Sequence, residues 1–209
     1  MANLGRPRSF NREEALLQAM RVFWAQGYDG ATLTELQAAM GGIAAPSFYA
    51  AFGSKEKLFY EAVELYSQTL GAPMIEVLGR EPAARVAIER LLDAAVAAFC
   101  KPGAPRGCML ISGALNLGPA NRQVQEYLRG LRVRRRNAIR ERLRRGIAEG
   151  ELPQGLNAGT VATFYTTVVD GLAIQARDGL PRKALLATAH CAMAAWDSVI
   201  AESSSVRRA

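Results

Sequence analysis

The sequence predicts an all-α fold of about nine helices, with a small N-terminal module of three helices followed by a larger helical body. Three observations lead there. Apolar residues recur at three- and four-residue steps with no sustained alternation of period two. Gly and Pro punctuate the chain at intervals suited to helix ends. Half of the 209 residues are hydrophobic, enough for a sizeable core and too many for a disordered polyelectrolyte.

The first helix is expected over 12–26, with Asn11 and Glu14 as cap and third-position partner and a buried stripe of Leu16, Leu17, Met20 and Phe23 or Trp24. Gly27 suits the left-handed stop. Thr32 with Glu35 forms a capping box that opens a second helix, whose buried side is Leu33, Leu36 and Ala39 and which Gly41 and Gly42 break. A short third helix covers 45–52, Gly53 ends it, and Ser54 caps a fourth that carries Leu58, Phe59, Val63, Leu65 and Tyr66 toward Leu70. Pro73 and the stretch 79–82 read as breaks. Further helices are expected over 83–99, 109–117, 121–148, 158–177 and 182–201. The domain boundaries that follow are 1–53 for the first module, 54–201 for the body and 202–209 for a fraying tail.

Composition excludes several function classes. No leader-like apolar segment opens the chain and no run of about 18 apolar residues occurs, so a cytoplasmic protein without membrane contact is expected. Cys100, Cys108 and Cys191 are odd in number and widely spaced, which speaks against a disulfide framework and a zinc site; neither metal nor cofactor is expected. No GxSxG, HExxH, Walker A or GxGxxG pattern is present, and the single histidine, His190, leaves no nucleophile–base set, so an enzyme is not expected. The net charge of +7 invites a nucleic-acid partner, but in 1–60 six cationic side chains meet five carboxylates, for +1. Ten arginines instead crowd 122–145 against Glu126 and Glu141, either as a solvated, acid-paired helix face or as a surface for an anionic partner.

The segment 32–52, TLTELQAAMGGIAAPSFYAAF, places two short helices around a Gly-containing turn, which is the requirement of a helix-turn-helix; an ordinary helical hairpin meets it too. The neighbouring residues decide. GRPR, FWAQGYDGATLTELQAAMG and SFYAAFGSKEKLF, in that order and spacing over 5–70, resemble the N-terminal domain of the TetR family of repressors. The resemblance implies a ligand-released transcriptional repressor that binds double-stranded operator DNA as a homodimer. It implies that Thr32 to Leu36 opens the positioning helix, that Tyr49 contacts the DNA backbone and that Lys55 reaches a phosphate. Thr34, Ala45, Pro46, Ser47 and Ala50 complete the expected DNA surface, with Arg6 and Arg8 on an arm that either enters the minor groove or only solubilises. Ala44, Ala45, Pro46, Ala50 and Ala51 replace most polar residues of the commoner pattern, so readout through apolar contact and DNA shape is expected.

Beyond residue 72 the resemblance implies a ligand-binding and dimerisation region. A pocket is expected among the fifth to eighth helices, near Phe99, Cys108, Met109, Asn116, Leu117, Tyr127, Phe164 and Tyr165. Phe164, Val168, Leu172, Met193, Trp196 and Ile200 are the expected dimer interface; burial within one subunit is the alternative. Cys108, after Arg106 and Gly107 at a helix start, is either a sensor of electrophiles or oxidants or a packing residue. A helical ligand carrier without specific DNA binding is the rival function.

Overall fold

The computed structural model describes residues 11–114 and 117–205, so Arg6, Arg8 and Asn116 lie outside the described residues. The helices are α1 (Arg12–Gly30), α2 (Leu33–Ala39), α3 (Ala45–Phe52), α4 (Lys55–Tyr66), α5 (Ala72–Arg80), α6 (Ala84–Phe99), α7 (Met109–Ser112), α8 (Arg122–Ala148), α9 (Ala158–Arg177), α10 (Arg182–Ala194) and α11 (Trp196–Ser205). A π-helical turn, Ser67–Gly71, joins α4 to α5, and a 3-10 turn, Pro119–Asn121, leads into α8. No strand occurs among the described residues.

Local chemistry explains the N-terminal boundaries. The Asn11 side chain accepts the backbone N–H groups of Glu13 and Glu14, each at 3.1 Å, and so satisfies two orphan donors of α1. Gly27 stands at φ 77°, ψ 178° and kinks the end of α1; a Cβ there would lie 3.1 Å from the Ser112 carbonyl oxygen, so the site also needs glycine's small profile. The capping box of α2 is complete: Glu35 N–H donates to Thr32 Oγ1 at 3.2 Å, and Thr32 N–H donates to the Glu35 carboxylate at 3.0 Å. Ser54 Oγ accepts the Lys57 N–H at 3.1 Å and starts α4.

Several boundaries depart from expectation, among them the C-terminal end, where α11 runs to Ser205, into the stretch 202–209 expected to fray, and Ser203 is buried. Pro73 does not break the chain but sits in the first turn of α5, where a missing N–H costs nothing, and the burial of Met74 and Leu78 holds that helix down. The helix expected to 117 stops at Ser112, where Gly113 is pressed close to Phe59 and Leu128. The last helix is bent by 42° between α10 and α11, which sets Trp196 against Tyr165 with ring centroids 5.7 Å apart.

The head formed by α1 to α4 closes on Ala19, Phe23, Leu36, Phe48, Leu58 and Phe59, with the Phe23 and Phe59 rings edge to face at 5.0 Å. The core continues into the body through Leu91, Leu92, Val96, Phe99, Leu128, Ile139, Leu143, Val161 and Tyr165. The boundary expected between 53 and 54 therefore crosses a continuous core, because Leu58, Phe59 and Val63 of α4 are buried with α1. Among the described residues, no single helix is long and apolar enough to cross a membrane.

Candidate nucleic-acid interface and cavity

Gly41 (φ 84°) and Gly42 (φ 74°) give α2 and α3 a tight connection that two side-chain-bearing residues would strain. Phe48 and Phe52 turn inward from α3, which leaves Ala45, Pro46, Ser47, Tyr49 and Ala50 exposed together on its outer side. Tyr49 is 51% exposed, and its ring rests edge-on against Phe48 at 5.4 Å, so packing fixes its direction while its hydroxyl end stays free. Ala44 at the N-cap supplies no side-chain acceptor, so the first-turn N–H groups of α3 face outward, a setting that favours an anionic oxygen. Thr34 is exposed. The Thr32 hydroxyl is engaged with the Glu35 carboxylate at 2.6 Å, and the hydrogen bonds from Thr32 hold that carboxyl below its ordinary pKa.

Lys55 opens α4 with its Nζ 4.6 Å from the centroid of the Tyr28 ring. Burial pushes its ammonium pKa down, and Asp29 opposes that shift. Arg12, which sequence reasoning passed over, braces the head: it donates to both Glu61 carboxylate oxygens at 2.7 and 2.9 Å and to the Ala51 carbonyl at 3.3 Å, and stacks 4.6 Å over Phe52. It fixes the C-terminal end of α3 against α1 and α4.

The end of α1 is tied to the body through Ser112, Arg177, Gly118 and Asn121. Ser112 Oγ lies 3.1 Å from the carbonyl oxygens of both Trp24 and Cys108, and Arg177 donates to the Ala25 carbonyl at 3.1 Å. The Asp29 carboxylate accepts from the Gly118 N–H at 2.8 Å and from the Asn121 side chain. Trp24 meets Tyr66 edge to face at 4.9 Å.

Tyr66 is also part of a cavity of about 280 Å³ between the end of α4, the π turn, α5, α7 and α8. Its apolar walls are Leu70, Met74, Ile75, Leu110 and Leu131, and its polar groups are Tyr66, Ser67, Cys108, Arg134 and Arg135. Burial pushes the Tyr66 phenol well up, and its neighbour there is Cys108. Of the described side chains expected around a pocket, Cys108 alone lines this one. Phe99 and Met109 are fully packed into the core. Tyr127 stands edge-on to Tyr60 at 4.8 Å, and Leu117 is half-buried. Tyr165 lies under Trp196, with burial pushing its phenol up to about 12, and Phe164 faces solvent. The cavity sits closer to the head than expected because α5 and the π turn, hidden behind Pro73 in the sequence, supply one wall.

Sequence reasoning also missed Arg135 and Arg142. Arg135 pairs with Asp170 of α9; Arg142 donates to the Pro82 carbonyl at 2.8 Å and to Glu151 at 3.3 Å. A signal existed: both stand on the three- and four-residue register of Leu128, Ile139 and Leu143, the buried stripe of α8. Much of the arginine run thus consists of internal struts, joined by Arg132 on the Leu110 carbonyl at 2.7 Å and Arg145 on those of Leu78 and Glu81 at 3.3 Å.

The expected dimer residues divide. Leu172, Met193, Trp196 and Ile200 are buried inside the subunit, where their large side chains complete its own core, so their apolar surface is already covered. Phe164 and half-buried Val168 instead share an outward side of α9 with Gly171 and Ile174, the latter 42% exposed. His190 and Cys191 are exposed on α10.

Known proteins share this arrangement. The family described as bacterial regulatory proteins, tetR family, matches residues 15–62, and the tetracyclin repressor-like C-terminal domain matches 82–193. The HTH-type transcriptional repressor BdcR of Escherichia coli (strain K12) is 31% identical over 198 residues, 95% of each chain. The HTH-type transcriptional repressor ComR of the same strain is 27% identical over 197 residues, 94% of this chain and 93% of its own. Among solved structures, a cysteine mutant of the TetR family transcriptional regulator CifR, complexed with 26bp double-strand operator DNA, superimposes with a TM-score of 0.87 at 45% identity, covering 91% of this chain and all of its own.

Proposed function

The chain belongs to the TetR family of transcriptional regulators, and from that premise we propose that it is a repressor that grips a two-fold operator as a dimer and is released when a small molecule fills the cavity beside Tyr66. The observation that carries the DNA reading is the outer side of α3, where Tyr49 is held outward by Phe48 with no partner inside the head that uses its hydroxyl. Ala45, Pro46 and Ala50 beside it suit thymine methyl groups and sugars, Ser47 supplies a hydrogen-bonding hydroxyl, and much of the specificity falls to DNA shape. That the CifR structure holds operator DNA supports the same use of α3 here.

Dimerisation is assigned to the outward side of α9, because among the described residues of the body Phe164 and Ile174 are the large apolar side chains left exposed. Release has a short mechanical route. Tyr66 lines the cavity and touches Trp24, while the Cys108 carbonyl and the Trp24 carbonyl share the Ser112 hydroxyl, so a shift of the wall moves the end of α1 and with it the head. A second reading, covalent modification of Cys108 by an electrophile, is favoured by its place on the cavity wall; Cys108→Ser keeps operator binding and abolishes the response if that reading holds. Footprinting of the DNA upstream of the chain's own gene tests the main reading. Protection of a palindromic site with two related half-sites is expected, and protection of one unpaired half-site by a monomer contradicts it.

A further inference from the structure

Two side chains on the wall of the cavity beside Tyr66 carry buried polar atoms without partners. Arg135 is buried, with its side chain 4% exposed; its Nη2 is paired with Asp170, but its Nε and Nη1 have no hydrogen-bond partner. Ser67, in the π turn, lines the same cavity, and its Oγ is also buried without a partner. Buried donors of this kind are rare, and a guanidinium with two unsatisfied nitrogens in an apolar setting carries a desolvation penalty that an incoming acceptor would remove. π-helical turns recur at functional sites, and this one sets Ser67, Leu70 and Gly71 along the cavity wall.

Both charged side chains named on the cavity wall are cationic. Arg134 stands at its edge and Arg135 in its wall, and Arg132 lies close enough for its charge to act on Asp170 and Cys108; Asp170 is the carboxylate that answers them. None of the described residues lining the cavity is acidic. The remaining surface, from Leu70, Met74, Ile75, Leu110 and Leu131, suits hydrocarbon, and about 280 Å³ lies at the small end of ligand pockets.

We propose that this cavity binds a small amphipathic monocarboxylate, its anionic head on the free nitrogens of Arg135 and the Ser67 hydroxyl and its alkyl or aryl-alkyl body against the apolar wall. This deepens the repressor reading and rests on it for one consequence, release from DNA; the binding itself is a property of the free protein.

Isothermal titration of the full chain without DNA tests the binding, with hexanoate, octanoate and phenylbutyrate each set beside the corresponding alcohol. The acids are expected to bind at least about tenfold more tightly than the alcohols, the difference made by one charge-assisted contact. In Arg135→Met that gap closes; Asp170 keeps Arg132 as a neighbour, and a buried ion pair replaced by a packed apolar side chain is commonly tolerated. Ser67→Ala weakens the acids about threefold with the alcohols unchanged. Should Arg135→Met fail to fold, Ser67→Ala and the acid–alcohol comparison decide. Acids that do not bind, alcohols that bind equally well, or a gap that persists in folded Arg135→Met overturn the proposal. The repressor reading fails separately: acids that bind the free protein yet leave a footprinted operator complex undisturbed uphold the carboxylate site and refute release through it.

Discussion

Replacing Asp29 by alanine should loosen the join between head and body without disturbing either core. Its carboxylate accepts from the Gly118 N–H at 2.8 Å and from the Asn121 amide, across 89 and 92 residues of chain. Hydrogen bonds to a charged group contribute about 1.5–3 kcal/mol when shielded; Asp29 is exposed, water replaces part of what is lost, and the pair is expected to contribute about 1–2 kcal/mol. For a domain of this size each kcal/mol moves Tm by about 2–4 °C, so Asp29→Ala should lower it by about 2–8 °C. Asp29→Asn should fall between, because its carbonyl oxygen can keep the Gly118 N–H while its amide nitrogen meets the Asn121 amide donor. Calorimetry gives the Tm, and hydrogen exchange at the Gly118 amide reports the clasp itself. An unchanged Tm together with unchanged Gly118 protection in Asp29→Ala would refute the clasp.

Four further outcomes follow from the same geometry. Tyr49→Ala should weaken operator binding while changing stability by less than about 0.5 kcal/mol, as for other exposed positions, and Lys55→Ala should reduce the salt slope of binding by about one unit; gel shifts across a salt series check both. Glu151→Ala removes the carboxylate of buried Arg142 and the acceptor of the Ala84 N–H, and should cost about 3 kcal/mol, visible as a lowered denaturation midpoint in urea. Ile174→Arg places a charge on the outward side of α9 and should yield monomers in sedimentation with the helical content intact; a dimer that survives would move the interface elsewhere.

The head was legible because its boundaries are local. Asn11, the Thr32 and Glu35 pair, the double glycine and Ser54 each act within three residues of the helix end they set, and the inward stripe of Phe48 and Phe52 separates itself from Tyr49 by helical spacing alone. The cavity was not legible in the same way. Its walls come from segments some sixty residues apart, and Pro73, read as a break, concealed the helix it opens. In α9 to α11 the largest apolar side chains drew the interface expectation, yet Leu172, Met193, Trp196 and Ile200 are the ones that a single subunit buries first. Arg135 and Arg142 could have been recognised by their register on the α8 stripe, but their number among ten arginines masked their position.

Sequence-specific gripping of DNA by α3 is the property on which the repressor function rests. Fluorescence anisotropy measures this most directly, with the wild-type chain titrated against the fragment footprinted upstream of its own gene and against a scrambled fragment of the same length and composition, at one physiological salt concentration. The account predicts at least about a thousandfold preference for the native fragment, the lower range for specific over non-specific complexes, and loss of most of that preference in Tyr49→Ala. Equal affinity for the two fragments would contradict it.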